Sequence, residues 1–99
     1  MRFKAGVKIE GMVPEMVLGL LVADKVYEQH GFDCVVTSGK DGVHKKGSLH
    51  YQGKAADLRT RYFVSSTLQS VVFDLKTYLT NEFDVVLEKD HIHLEFDPK

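Results

Sequence analysis

Residues 48–57 read Ser48-Leu49-His50-Tyr51-Gln52-Gly53-Lys54-Ala55-Ala56-Asp57. The stretch sets a histidine and a carboxylate seven positions apart, with a glycine turn between them and small residues alongside. Imidazole and carboxylate both suit a borderline divalent metal such as zinc, and a protein site for it needs at least three ligands. A third should come from elsewhere in the chain, and Asp90-His91-Ile92-His93 is the segment that stands out. A fold that brings these two segments together would have its site there, with the remaining residues as scaffold or substrate pocket.

Ninety-nine residues make one domain, 1–99, with no room for a second core. A domain of this size buries only about 60–70% of its unfolded surface, so a bound metal would add useful stability. Hydrophobic residues at 43% and charged residues at 27% are ordinary for a soluble globular protein. A net charge of -1 provides no basic face for nucleic acid, so no nucleic-acid partner is expected. The single cysteine, Cys34, cannot form an internal disulfide and reads as a small buried strand residue. No apolar run approaches the ~20 residues of a membrane span, and no membrane partner is expected. Arg2, Lys4 and Lys8 followed by the apolar residues 17–23 imitate a signal peptide, but Glu10, Pro14 and Glu15 interrupt it. Synthesis in the cytoplasm with no conventional export signal is therefore expected.

Along the chain, residues 2–10 alternate loosely and suggest an edge strand or extended arm. Pro14 suits a first helical turn, and Met16, Val17, Leu20, Leu21, Ala23, Val26 and Tyr27 mark an apolar side up to Gly31, a left-handed cap. Residues 32–37 form a strand, and 38–47 a glycine-punctuated loop. Residues 55–60 form the next strand, with Ala55, Asp57 and Arg59 on one face and Ala56 and Leu58 on the other. Ser65 or Ser66 caps a second helix carrying Leu68, Val71, Val72, Leu75, Tyr78 and Leu79, closed by Asn81. Residues 83–87 and 91–96 pair as a hairpin through a turn at Glu88-Lys89-Asp90. The predicted class is α+β, a small antiparallel sheet packed against two helices.

Alternation puts His91 and His93 on the same face of their strand, so periodicity does not say which is the ligand. His30 reads as a helix-end residue favoured near the negative pole. Tyr51 and Arg59 lie close to the site in sequence and read as ordinary residues of a strand surface.

Ser48, His50, Gly53, Ala55 and Asp57 fit the pattern Ser-x-His-x-x-Gly-x-Ala-x-Asp position for position. The chain thereby resembles the zinc D-alanyl-D-alanine carboxypeptidases, the phage L-alanyl-D-glutamate endolysins and, by fold, the Hedgehog signalling domain. In that family an acidic residue precedes the last zinc-binding histidine by three positions, as Asp90 precedes His93. The likeness covers residues 35–57 and 85–96. It implies a Hedgehog/DD-peptidase-like fold with zinc as cofactor, held by His50, Asp57 and His93. Three protein ligands leave one coordination position open, which marks a catalytic site. Asp90 would be the general base. His91 would bind the oxyanion or substrate carboxylate, or serve as a hydrogen-bond partner behind the ligands. Ser48 would hold the ligand loop or hydrogen-bond substrate, and Gly53 would allow the turn.

Many members carry Ser-Gly-Tyr-Arg after the first strand, where this chain has Ser38-Gly39-Lys40-Asp41. For the missing substrate-binding cation the same loop offers Lys40 and a protonated His44. Nor is there a tryptophan beside the last histidine. The expected function is that of a metallopeptidase, a hydrolase acting on the D-Ala-D-Ala or L-Ala-D-Glu bond of peptidoglycan stem peptides. The small size suits a phage-encoded enzyme of cell-wall degradation, or a domain working beside a partner protein or virion component. The competing expectation is a non-catalytic metal-binding structural or interaction module of the same fold.

Overall fold

The computed structural model describes residues 1–42 and 44–98; Val43, within the loop expected at 38–47, and Lys99 lie outside the described residues. Chain order is β1 (Arg2–Phe3), α1 (Pro14–Gln29), β2 (Val35–Ser38), β3 (Ala55–Arg59), α2 (Ser65–Tyr78), β4 (Phe83–Leu87) and β5 (His91–Phe96). The strands form a single sheet in the order β1-β2-β3-β5-β4. The α+β class holds, with one correction. β1 and β2 run parallel, and the other pairs are antiparallel. The reason is the connection: α1 lies between β1 and β2, and a helical crossover returns the chain in the same direction.

The apolar alternation of the strands sorts the two faces of the sheet. Val36, Ala56, Leu58, Val85, Ile92 and Leu94 meet Met16, Leu20, Ala23, Val26 and Tyr27 of α1 and Val71 and Leu75 of α2 in one core. Both helices therefore cover one face. The other face presents Asp57, Arg59, His91, His93 and Glu95, the odd-numbered positions of β3 and β5.

Several local expectations change. Val17 and Leu21 are exposed, because the buried stripe of α1 runs through Met16, Leu20, Ala23 and Tyr27 instead. α1 closes in a Schellman motif: Gly31, at φ +82°, donates to Glu28 O, and Phe32 N donates to Tyr27 O. Phe32 thus belongs to the cap, and β2 begins only at Val35. Neither Ser65 nor Ser66 caps α2; extended Val64 holds the N-cap position and makes no side-chain bond. Asn81 does not close it either. Leu79 turns extended at ψ 139° and sends its side chain into the core. Of the arm, only Arg2–Phe3 is strand. The rest straps across the β2–β3 loop through Lys40 N to Lys8 O (2.7 Å) and Val13 N to Gly53 O (3.0 Å).

Candidate metal centre

The site is built at the middle of the sheet, where β3 and β5 exchange hydrogen bonds. Their register sets Ala55 opposite Glu95, Asp57 opposite His93, and Arg59 opposite His91. Directly paired residues share a face, so a grid of polar side chains rises from the surface away from the helices. His50 enters from above on the β2–β3 loop and is buried, 3% exposed. Its backbone N–H donates to Ser48 Oγ at 3.1 Å, which turns the loop inward.

Gly53 gives that loop its shape. Its φ is +70°, and a Cβ there would stand 2.5 Å from Gly11 O and 2.9 Å from Met12 Cα. Glycine is required both for the turn and for the close passage of the arm. Gly39 has the same second role, since a Cβ on it would strike Lys8 O.

Three ligand atoms converge. Asp57 Oδ1 is 3.1 Å from His93 Nδ1 and 3.3 Å from His50 Nε2, and the two ring nitrogens are 3.3 Å apart. Zinc–ligand bonds of about 2.0–2.1 Å in a tetrahedron place ligand atoms about 3.3 Å from one another. The observed spacing fits. The other ring nitrogens explain why these particular atoms face inward. His50 Nδ1 donates to Gly39 O at 2.8 Å, leaving Nε2 with its lone pair. His93 Nε2 donates to Glu95 Oε1 at 2.7 Å, leaving the lone pair on Nδ1. With both rings neutral, the centre is ringed by three acceptors and no donor, an arrangement that repels itself unless a cation sits between them. His50, Asp57 and His93 are thus a group able to hold a metal ion.

Titration follows the same logic. Burial pushes the Asp57 carboxyl up, but the hydrogen bonds to His50 and His93 and the charges of His50 and His91 outweigh it and hold it well below the ordinary range. His93 is pushed up, first by its bond to Asp57, against burial, with Glu95 adding to the rise. A proton at Nδ1 therefore competes for the position a metal would take.

The remaining sequence candidates fall at different distances from this centre. His91 Nε2 lies 3.5 Å from Asp57 Oδ1, and its Nδ1 is 2.6 Å from Asp90 Oδ1. Asp90 is the outer member of this pair, its side chain 86% exposed and its pKa lowered by the bond to His91. His44 stacks flat on His50, with centroids 3.9 Å apart and planes 2° off parallel. Its Nε2 is 2.7 Å from Asp41 O and 3.2 Å from Ser38 Oγ, while its backbone N–H donates to Tyr51 Oη at 2.6 Å. Lys40 lies outside the group: its Nζ is beside Gly11, in a depression formed with the arm. Asp41 staples that arm; its Oδ1 accepts from Lys8 N and Gly39 N, both at 2.8 Å.

Glu95 was not singled out in the sequence, although alternation from His91 and His93 marks it as a third residue of the same face. His30 is more than a helix end, since its Nε2 meets Asp74 Oδ2 at 2.8 Å and ties α1 to α2. Cys34 is fully buried with its thiol pushed up to about 12 by burial, which suits an unreactive packing residue.

No family model matches the chain, and neither a curated protein nor a solved structure is found similar to it. The likeness to the zinc carboxypeptidases and endolysins therefore stands on the quoted motif residues.

Proposed function

We propose that the protein is a zinc-dependent peptidase of the DD-carboxypeptidase and endolysin type, hydrolysing peptide bonds of peptidoglycan stem peptides. The observation that carries this reading is the convergence of His50 Nε2, Asp57 Oδ1 and His93 Nδ1 at 3.1–3.3 Å, all presented as acceptors. Held by His50, Asp57 and His93, zinc would supply Lewis acidity to the scissile carbonyl and to the attacking water. The chain's own residues do the rest. Asp90 accepts the attacking water's proton at its carboxylate and returns it to the leaving amine nitrogen. His91 joins that carboxylate to the ligand group. Its Nδ1 faces Asp90, and its Nε2 points towards Asp57, where a ring N–H can donate to a developing oxyanion. Glu95 and the Gly39 carbonyl keep the ligand nitrogens aimed inward.

The test is incubation of zinc-loaded protein with purified stem-peptide fragments, with products identified by mass. Wild type is expected to cleave, a chelator to stop it, and Asp90→Ala to lose about 100-fold or more. His91→Ala separates its two roles: a large fall in kcat supports oxyanion contact, and unchanged kinetics assign it to packing. If wild type and Asp90→Ala both bind zinc and neither cleaves any fragment, the non-catalytic metal-binding module becomes the reading to keep.

A further inference from the structure

The position where the zinc carboxypeptidases and endolysins carry arginine is the acidic Asp41 here, yet cations approach the ligand group from other directions. An open depression of about 510 Å³ borders Asp57 and His91, and its walls include Lys4, Arg59 and Arg61 together with Asp41, Asp57 and Asp90. The three carboxylates are all engaged. Asp41 takes two backbone N–H groups, Asp57 faces the histidines, and Asp90 holds His91. None of the three cations has a carboxylate partner among the described residues. Three cations and three carboxylates thus balance formally across the depression, but the carboxylates are taken up by backbone N–H groups and imidazoles while the cations are left without an ion-pair partner among the described residues.

The placement of Arg59 is specific. It follows Asp57 by two residues on β3 and shares its face, so their Cα atoms are about 7 Å apart. That is within reach of an arginine side chain for a group bound beside the ligands. Its backbone is anchored from the core, where the buried Tyr27 hydroxyl donates to Arg59 O at 2.8 Å. Arg59 is only half-buried, and a half-buried guanidinium with no ion-pair partner among the described residues is suited to a carboxylate from outside. Lys4 comes from the arm that Asp41 staples down at Lys8. The acidic residue in place of the family's arginine thus helps to fix the strand-and-arm segment that delivers a cation.

We propose that Lys4, Arg59 and Arg61 form an anion subsite that binds a carboxylate on the leaving-side residue of the substrate. The assignment rests on the peptidase reading for its ligand class. Both candidate bonds share this chemistry, because the leaving residue carries a carboxylate whether it is a terminal D-Ala or D-Glu.

Zinc-loaded Asp90→Ala protein, which should not consume its ligand, would be titrated calorimetrically with two probes. These are acetyl-D-Ala-D-Ala and acetyl-L-Ala-D-Glu with its γ-carboxyl amidated, each as the free acid and as the α-carboxamide. In at least one series the acid is expected to bind about tenfold tighter than the amide or better, and that series names the source of the carboxylate. Adding Lys4→Gln, Arg59→Gln and Arg61→Gln together should abolish the preference while zinc content and amide binding stay unchanged. Equal binding of acid and amide in both series, or a preference that survives the triple substitution, overturns the subsite. Should the triple variant not fold, Lys4→Gln with Arg61→Gln touches only exposed side chains, and an undiminished preference there overturns it equally. Acid preference without hydrolysis by wild type would sink the peptidase reading and keep the subsite. Hydrolysis that treats acid and amide alike would do the reverse.

Discussion

Asp57 and His93 stand directly opposite one another across β3 and β5, with Oδ1 of the carboxylate 3.1 Å from Nδ1 of the ring. A cross-strand pair is among the more rigid ways to fix two side chains, since the backbone ladder sets their separation. His50, on a loop, is instead held by the Gly39 carbonyl, the Ser48 hydroxyl and the flat stack of His44. Two of the candidate ligands are thus placed by the sheet and one by loop packing.

Removing one ligand should be felt mainly in metal affinity. Asp57→Asn keeps the shape and removes the charge, and His93→Ala removes a nitrogen. Each is expected to weaken zinc binding by at least about 100-fold, beyond the range usual for residues behind the ligands. Competition with a chromophoric chelator measures it, and wild-type affinity in either variant would refute the ligand set.

Glu95 should act through the orientation of His93. Glu95→Leu removes the acceptor at Nε2 and is expected to cost about 10–100-fold in zinc affinity, whereas Glu95→Gln, which still offers an acceptor oxygen, should restore most of it. Cobalt-substituted protein gives a second readout. Its visible spectrum should shift in Glu95→Leu and return towards wild type in Glu95→Gln.

The metal-free fold and the zinc increment respond to pH with opposite signs. In metal-free protein the raised His93 contributes stability that is full below its ordinary 6.5 and is lost as pH rises through the folded value. The depressed Asp57 contributes above its ordinary 3.8 and loses that only as pH falls through its lower folded value. The pair therefore favours the metal-free fold between those two ordinary values. Zinc requires a neutral His93, so its stabilisation should grow from about pH 5.5 to about pH 8. Thermal unfolding across this range, with zinc and with chelator, should show Tm falling in chelator while the zinc increment rises. An increment independent of pH would count against His93 as a ligand.

Gly53→Ala tests the coupling of arm and loop. The left-handed φ and the 2.5 Å approach to Gly11 O both oppose a Cβ. The expected cost is about 2 kcal/mol or more, a fall in Tm of about 10 °C for a domain of this size. Gly47, also at positive φ but with nothing near its would-be Cβ, is the control. Gly47→Ala should cost about half as much, from backbone strain alone. Equal losses at both positions would mean that the arm gives way freely.

The parts of this molecule visible in its sequence were those carried by local pattern. The hairpin of β4 and β5, the two helices, the common face of Asp57 and Arg59, and the pairing of His50 with Asp57 all follow from periods of 2 or 3.6 and from a glycine turn. Local pattern is ambiguous where a residue has two acceptable roles. Val17 and Leu21 are as apolar as their buried neighbours, and only the direction of the packed stripe leaves them outside. Ser65 has the chemistry of a cap, yet the chain enters α2 one residue earlier at Val64.

The sequence by itself determined the elements, the alternation that separates a core face from a polar face, and the histidines and carboxylate able to bind a metal. These depend on residues a few positions apart. Tertiary structure alone decided that β1 joins the edge in parallel and that β5 inserts beside β3. It also decided that Asp57 meets His93 while Arg59 meets His91, and which nitrogen of each ring looks inward. Those outcomes rest on hydrogen bonds between residues distant in the chain, such as the β3–β5 ladder that sets His93 opposite Asp57, and Gly39 with His50 across a loop. Such bonds acquire a geometry only when the core has drawn the strands and the arm together.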